Sequence, residues 1–167
     1  VPKLKRDKIK KNGGHTMIIW YKDENIGIYF SKTPHLTMRY ATPESTKEEI
    51  QDINDKPFIN HCELKVTLQD IKNDYKYCFT IPAKYTWDGA SIPKAFWSLI
   101  GAKTDAKFLI PSLIHDVLCE NHEYVNNNRY FADKVFERLL YVSGVSNFKR
   151  WLMFHSVDNF QKFCNWK

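Results

Sequence analysis

Two runs in the middle of the chain, CELKVTLQD (62–70) and YKYCFTIPA (75–83), constrain the fold more than any other feature. Leu64, Val66 and Leu68 alternate with polar residues, and so do Tyr77, Phe79 and Ile81. That period puts all six on one face of a paired ribbon, and the intervening IKND is short enough to be its turn. A ribbon with one apolar face must be covered by another layer. More strand precedes it. MIIWYKDENIGIYF (17–30) reads as two short strands around Asp-Glu-Asn, and HLTMRYATP (35–43) as another. TPESTKEEIQDINDKP (42–57) is polar and Pro-bounded, a loop or short exposed helix in which Ser45 and Glu48 form a capping box.

The second half changes period. SIPKAFWSLIG (91–101) offers Ser91 as N-cap, an early Pro93 and Gly101 as a stop. DAKFLIPSLIHDVLCENH (105–122) is apolar at Phe108, Leu109, Leu113, Val117 and Leu118, close to helical spacing. NRYFADKVFERLLYVSG (128–144) and SNFKRWLMFHSVDNFQKF (146–163) carry further helical stripes, the first ended by Gly144. Strands followed by helices predict an α+β fold, with N-terminal antiparallel β-hairpins and then about three packed helices.

Charge divides the chain. Residues 1–12, VPKLKRDKIKKN, hold six Lys or Arg and one Asp, so most of the formal +6 lies there. The rest is near neutral, which argues against specific nucleic-acid binding by the domain and leaves a basic tail suited to acidic surfaces. Met17 opens the first strand, and Gly13-Gly14 can be encoded as a ribosome-binding sequence. The expected organisation is a basic tail or upstream extension over 1–16 and a single α+β domain over 17–167. Cys62, Cys78, Cys119 and Cys164 form no C-x-x-C pair, so neither a structural zinc site nor a disulfide framework is expected. No uncharged apolar run reaches the roughly 18 residues of a membrane span, and no signal peptide is recognisable.

The chemistry gathers in three places. His115-Asp116 lies inside the apolar run LIPSLIHDVLCEN (109–121), and two buried ionisable neighbours need partners. Arg129 and Asp133 are spaced i,i+4 on the following helix, spacing that supports an ion pair. Asp88-Gly89-Ala90-Ser91 forms a small-residue turn between a strand end and a helix start, where Asp88 or Ser91 can cap. The short link ENHEYVNNN makes the two helices neighbours and brings Asp133 opposite His115. A carboxylate on one imidazole nitrogen fixes the tautomer and makes the other a general base toward water. Asp116 then faces another side, where it suits a hard cation completed by backbone carbonyls of the 87–90 turn, at Trp87 and Gly89.

The segments SLIHDVLC and FADKVFERLL resemble the paired helices of secreted phospholipase A2 and its viral relatives. That resemblance, over about residues 109–140, implies His115 as general base, Asp133 as its partner, Asp116 as a Ca²⁺ ligand, and an ester or phospholipid substrate. A longer resemblance, over about 75–160, is to a bacteriophage-borne family of unknown function, carried by TWDGASIPKAFW, PSLIHDVLC and RYFADKVF. It implies phage or prophage origin, other virion proteins as partners, and a place in the host cytoplasm or the virion. Cys119 stands where both groups have Tyr.

Other assignments of the same residues compete. Asp88, His115, Asp116, Arg129 and Asp133 can satisfy one another as architecture in a virion-associated tail or connector protein, without catalysis. His61, His115-Asp116 and Asp158 match the ligand order of a metal-dependent phosphohydrolase, but those proteins are all-helical and the strands argue against it. His155 with Lys149, Arg150 and Lys162 suits an anion, although such a face is ordinarily only solvated. Trp87, Trp97 and Trp151 read as core or interface residues rather than a ligand box.

Overall fold

The computed structural model describes residues 16–90, 97–101 and 104–163, with side chains except those of Trp97 and 158–163. The chain is α+β: antiparallel sheets come first and helices follow. Strands β1 (Ile18–Lys22), β2 (Ile26–Phe30), β5 (Leu64–Asp70) and β6 (Tyr75–Ile81) form a four-stranded antiparallel sheet in the order β1-β2-β5-β6. The β5–β6 register sets Leu64 against Ile81, Val66 against Phe79 and Leu68 against Tyr77, and all six side chains are buried on one face. Fully burying one such side chain contributes about 1.5–3 kcal/mol.

The β1–β2 turn is bound by Asp23, whose Oδ1 accepts from the amides of Asn25 and Ile26 and whose Oδ2 accepts from Tyr21 Oη, each at 2.7 Å. Arg138 Nε donates to the same Oδ2 at 2.9 Å and ties the turn to the helical layer. Burial pushes the Asp23 carboxyl up, but these donors outweigh it and hold it below the ordinary value. Burial and its bond to Asp23 push the Tyr21 hydroxyl up to about 12.

A second antiparallel sheet has the order β3 (Leu36–Met38), β4 (Phe58–Asn60), β7 (Thr86–Trp87). The strand expected over 35–43 is thus confined to three residues, and β4 has no counterpart in the sequence reading. Helix α1 (Lys47–Asp55) lies between β3 and β4 with no buried residue. Its capping box is Thr46–Glu49, not Ser45–Glu48. Ser45 Oγ instead accepts from the Thr42 amide at 3.0 Å and closes the preceding turn.

The helical layer consists of α2 (Trp97–Ile100), α3 (Leu109–Glu120), α4 (Arg129–Val142) and α5 (Asn147–Phe163). The helix expected from 105 begins as a 3₁₀ turn at Ala106–Phe108, capped by Asp105, and becomes α-helical at Leu109. Pro111 falls in the first turn of α3, where no intrahelical amide bond is lost. A second 3₁₀ turn (His122–Val125) and Asn126 and Asn127, at φ 51 and 58, lead into α4. Asn128 caps α4 by accepting from the Phe131 amide. One apolar core joins the inner sheet face, Phe58 and Trp87 to α3 and α4. A second packs Ile100, Phe108, Phe136, Leu140, Met153 and Val157 among the helices. The expected Ser91 N-cap, and residues 1–15 of the tail or extension expected over 1–16, lie outside the described residues. No described helix is long and apolar enough to cross a membrane.

Candidate functional site

Helices α3 and α4 pack side by side, and His115 and Asp133 meet between them. His115 Nε2 lies 3.2 Å from Asp133 Oδ1, and both side chains are almost closed to solvent, 10% and 2% exposed. The Phe136 ring packs on the imidazole at 4.8 Å between centroids. Seen from Asp133, the geometry is that of a carboxylate accepting from an imidazole N–H. An ionised carboxylate only accepts, so this contact favours the tautomer with the proton on Nε2. Asp133 points inward from the second turn of α4, toward α3, while Arg129, the first residue of α4, is half-buried.

Cys119, one turn after His115, places Sγ 3.6 Å from Nδ1 and 3.8 Å from Nε2. A sulfur nearly equidistant from both nitrogens lies off the in-plane axis of the Nδ1 lone pair. The thiol therefore packs against the ring and is not aligned to hand it a proton.

Asp116 leaves α3 in a different direction. Its carboxyl is raised well above the ordinary carboxylate range by burial first, then by its hydrogen bond to Asp88 and the negative charges of Asp88 and Glu120, opposed by Lys56. Burial and the Asp88 contact thus favour the protonated form of Asp116. Glu120 follows Asp116 by one helical turn and accepts from Tyr85 Oη at 2.9 Å. Burial and Glu120 together push the Tyr85 hydroxyl upward. Sequence reasoning missed Glu120 and Tyr85; the i,i+4 spacing of Asp116 and Glu120 was the available signal.

The turn that carries Asp88 is held from both sides. Trp87, buried at the end of β7, donates its indole N–H to Ser112 Oγ on α3 at 2.9 Å and packs on Phe58 at 5.6 Å. Gly89 follows with φ +88, and a Cβ there would meet Phe58 Cε2 at 2.5 Å. Gly89 is thus required both by its backbone angle and by the ring beside it. Ser91, the last member of the turn singled out in sequence, lies outside the described residues.

Among the described residues, no three His, Cys, Asp or Glu side chains converge as a metal-binding group. A hard cation here would therefore rest on Asp116 and Asp88 with carbonyl or water oxygens, a donor set of the right chemistry for calcium. His61 is engaged elsewhere: Thr37 Oγ1 lies 2.6 Å from its Nε2, and its ring packs against His35 at 4.8 Å. Arg150 is also spent internally, on Glu137, the Val145 carbonyl and Asn147.

A Sinorhizobium fredii protein described as "Uncharacterized protein y4jT" is 31% identical over 80 residues, which are 48% of this chain and 23% of that protein. The chain thus spans less than a quarter of that relative. No solved structure matches the chain. The family model described as "Protein of unknown function (DUF1353)" matches residues 65–157, more than half of the chain and the whole stretch from β5 through the Asp88 turn to α5. The chain belongs to the DUF1353 family of proteins of unknown function.

Proposed function

We propose that the chain hydrolyses an ester, with phospholipid as the substrate class, through His115 as general base and Asp133 as the group that holds it. The observation that carries this reading is the 3.2 Å contact between His115 Nε2 and Asp133 Oδ1 inside the α3–α4 pair. With Nε2 committed, Nδ1 takes a proton from water. The hydroxide so formed attacks the ester carbonyl, and the imidazolium returns its proton to the departing alkoxide. Asp133 keeps the ring in one tautomer and offsets the charge the imidazole gains. Asp116, with Asp88 and the carbonyls of Trp87 and Gly89, would hold calcium. Bound calcium would polarise the ester carbonyl.

A second reading has its own support. The imidazole is only 10% exposed and is flanked by Phe136 and Cys119. In that reading the cluster fastens the Asp88 turn to two helices in a non-catalytic virion protein of phage origin, a tail or connector component. Hydrolysis of labelled phospholipid by the wild type and His115→Ala, with calcium and with chelator, separates the two. A calcium-dependent rate lost in His115→Ala supports the hydrolase. Equal background rates for both proteins sink it in favour of architecture.

A further inference from the structure

His35 and His61 extend the β3–β4 ladder past the ends of both strands. The His61 amide donates to the His35 carbonyl at 2.9 Å, one step beyond the Leu36–Asn60 pair. Directly opposed residues of an antiparallel pair turn their side chains to one face, with Cβ atoms about 4.5–5.5 Å apart. The two imidazoles accordingly meet, 4.8 Å between ring centroids and tilted by 40°. Both residues are exposed, so the pair is open to solutes. They lie outside residues 65–157, the stretch that the family model matches.

A neutral imidazole ligates a metal through one nitrogen, and a hydrogen bond from the other N–H fixes the tautomer and aims the ring. Thr37, two residues along β3 from His35, places Oγ1 2.6 Å from His61 Nε2. A hydroxyl can accept from Nε2–H, and in that tautomer His61 Nδ1 carries the lone pair. The His35 ring makes no hydrogen bond among the described residues, so both its nitrogens are open to a ligand. The spacing also fits. With a metal–nitrogen bond of about 2.0–2.1 Å, a shared ion sits about 3.2 Å from each ring centre. The observed 4.8 Å then corresponds to an N–metal–N angle of about 100°, close to tetrahedral. No third His, Cys, Asp or Glu joins the pair among the described residues, so such an ion keeps solvent ligands. Imidazole donors select zinc, copper or nickel over calcium or magnesium.

We infer that His35 and His61 together bind one divalent transition-metal ion of the zinc and copper class, with water in its remaining positions. The inference is independent of the hydrolase reading and uses none of its residues. Its test is titration of the full chain with Zn²⁺ alone, followed by calorimetry and by nitrogen-15 spectroscopy of the assigned imidazoles. The ring signals of His35 and His61 are expected to move together, at the same zinc concentration. H35Q and H61Q are each expected to weaken that binding step by about tenfold or more without unfolding, since both side chains are exposed. T37V removes only the group that aims His61 and is expected to weaken the step by about tenfold. Excess Ca²⁺ is expected to leave the step unchanged, and so is H115A. Movement of only one of the two rings, or of neither, overturns the shared ion. Unchanged affinity in H35Q or in H61Q does the same. Displacement by Ca²⁺, or loss of the step in H115A, overturns it in favour of the carboxylate cluster on α3.

Discussion

An alanine at position 89 carries two costs that the structure separates. Gly89 sits at φ +88, where an L side chain crowds its own carbonyl, a penalty of about 1–2 kcal/mol. The added Cβ would also stand 2.5 Å from Phe58 Cε2 and 3.2 Å from Cδ2. That ring cannot swing aside, because Phe58 is fully buried in the central strand of its sheet and packs on Trp87. Forcing an extra carbon into such a site costs about 1–3 kcal/mol more. Gly89→Ala should therefore lose about 2–5 kcal/mol, a fall in Tm of roughly 5–15 °C for a chain of this size. Gly144 supplies the control: its φ is +87, but a Cβ there meets nothing within 4 Å. Gly144→Ala should lose only the backbone part, about 1–2 kcal/mol. Thermal unfolding of both variants by calorimetry gives the comparison. Equal shifts would refute the Phe58 contact, and no shift in Gly89→Ala would refute the turn conformation that carries Asp88.

Three further outcomes follow from the geometry. Asp133→Asn leaves the buried imidazole without its carboxylate, so it should cost about 1–3 kcal/mol in urea denaturation and lower any hydrolytic rate by about 100-fold or more. The raised Asp116 carboxyl binds its proton more tightly folded than unfolded. Its contribution to stability is therefore fully present below the ordinary carboxylate range and is lost as pH rises through the raised value. Urea midpoints measured against pH should show that decline, calcium should offset it on the alkaline side, and Asp116→Asn should abolish it; an unchanged profile in the variant refutes the assignment. Thr46→Ala removes the capping box of α1 at about 1 kcal/mol of local helix stability. Because α1 buries nothing, hydrogen exchange of its amides should accelerate while the global Tm barely moves.

The parts of this fold that were legible in sequence are those fixed by local pattern. The β5–β6 hairpin follows from six alternating apolar residues, and α4 from a stripe bounded by Asn128 and Gly144. Strand β4 was not legible, since FIN is three residues long and is strand only because β3 and β7 pair with it on both sides. The division into two sheets is likewise a product of long-range pairing. The capping box slipped by one residue because Ser45, Thr46, Glu48 and Glu49 allow two S/T-x-x-E frames, and the choice rests on the turn that Ser45 closes. The meeting of His115 and Asp133 was readable because a short link joins their helices. The pairing of Asp116 with Asp88, and the approach of Tyr85 to Glu120, depend on how the sheet end sits against α3, which no local pattern encodes.

In the proposed hydrolase, Asp133 sets the tautomer of His115 and makes Nδ1 the base. Nitrogen-15 spectroscopy of the imidazole, with His115 assigned through His115→Gln, tests it directly. The expected result is a ring proton on Nε2, and loss of that preference in Asp133→Ala. A proton on Nδ1 in the wild type, or a tautomer indifferent to Asp133, would contradict it.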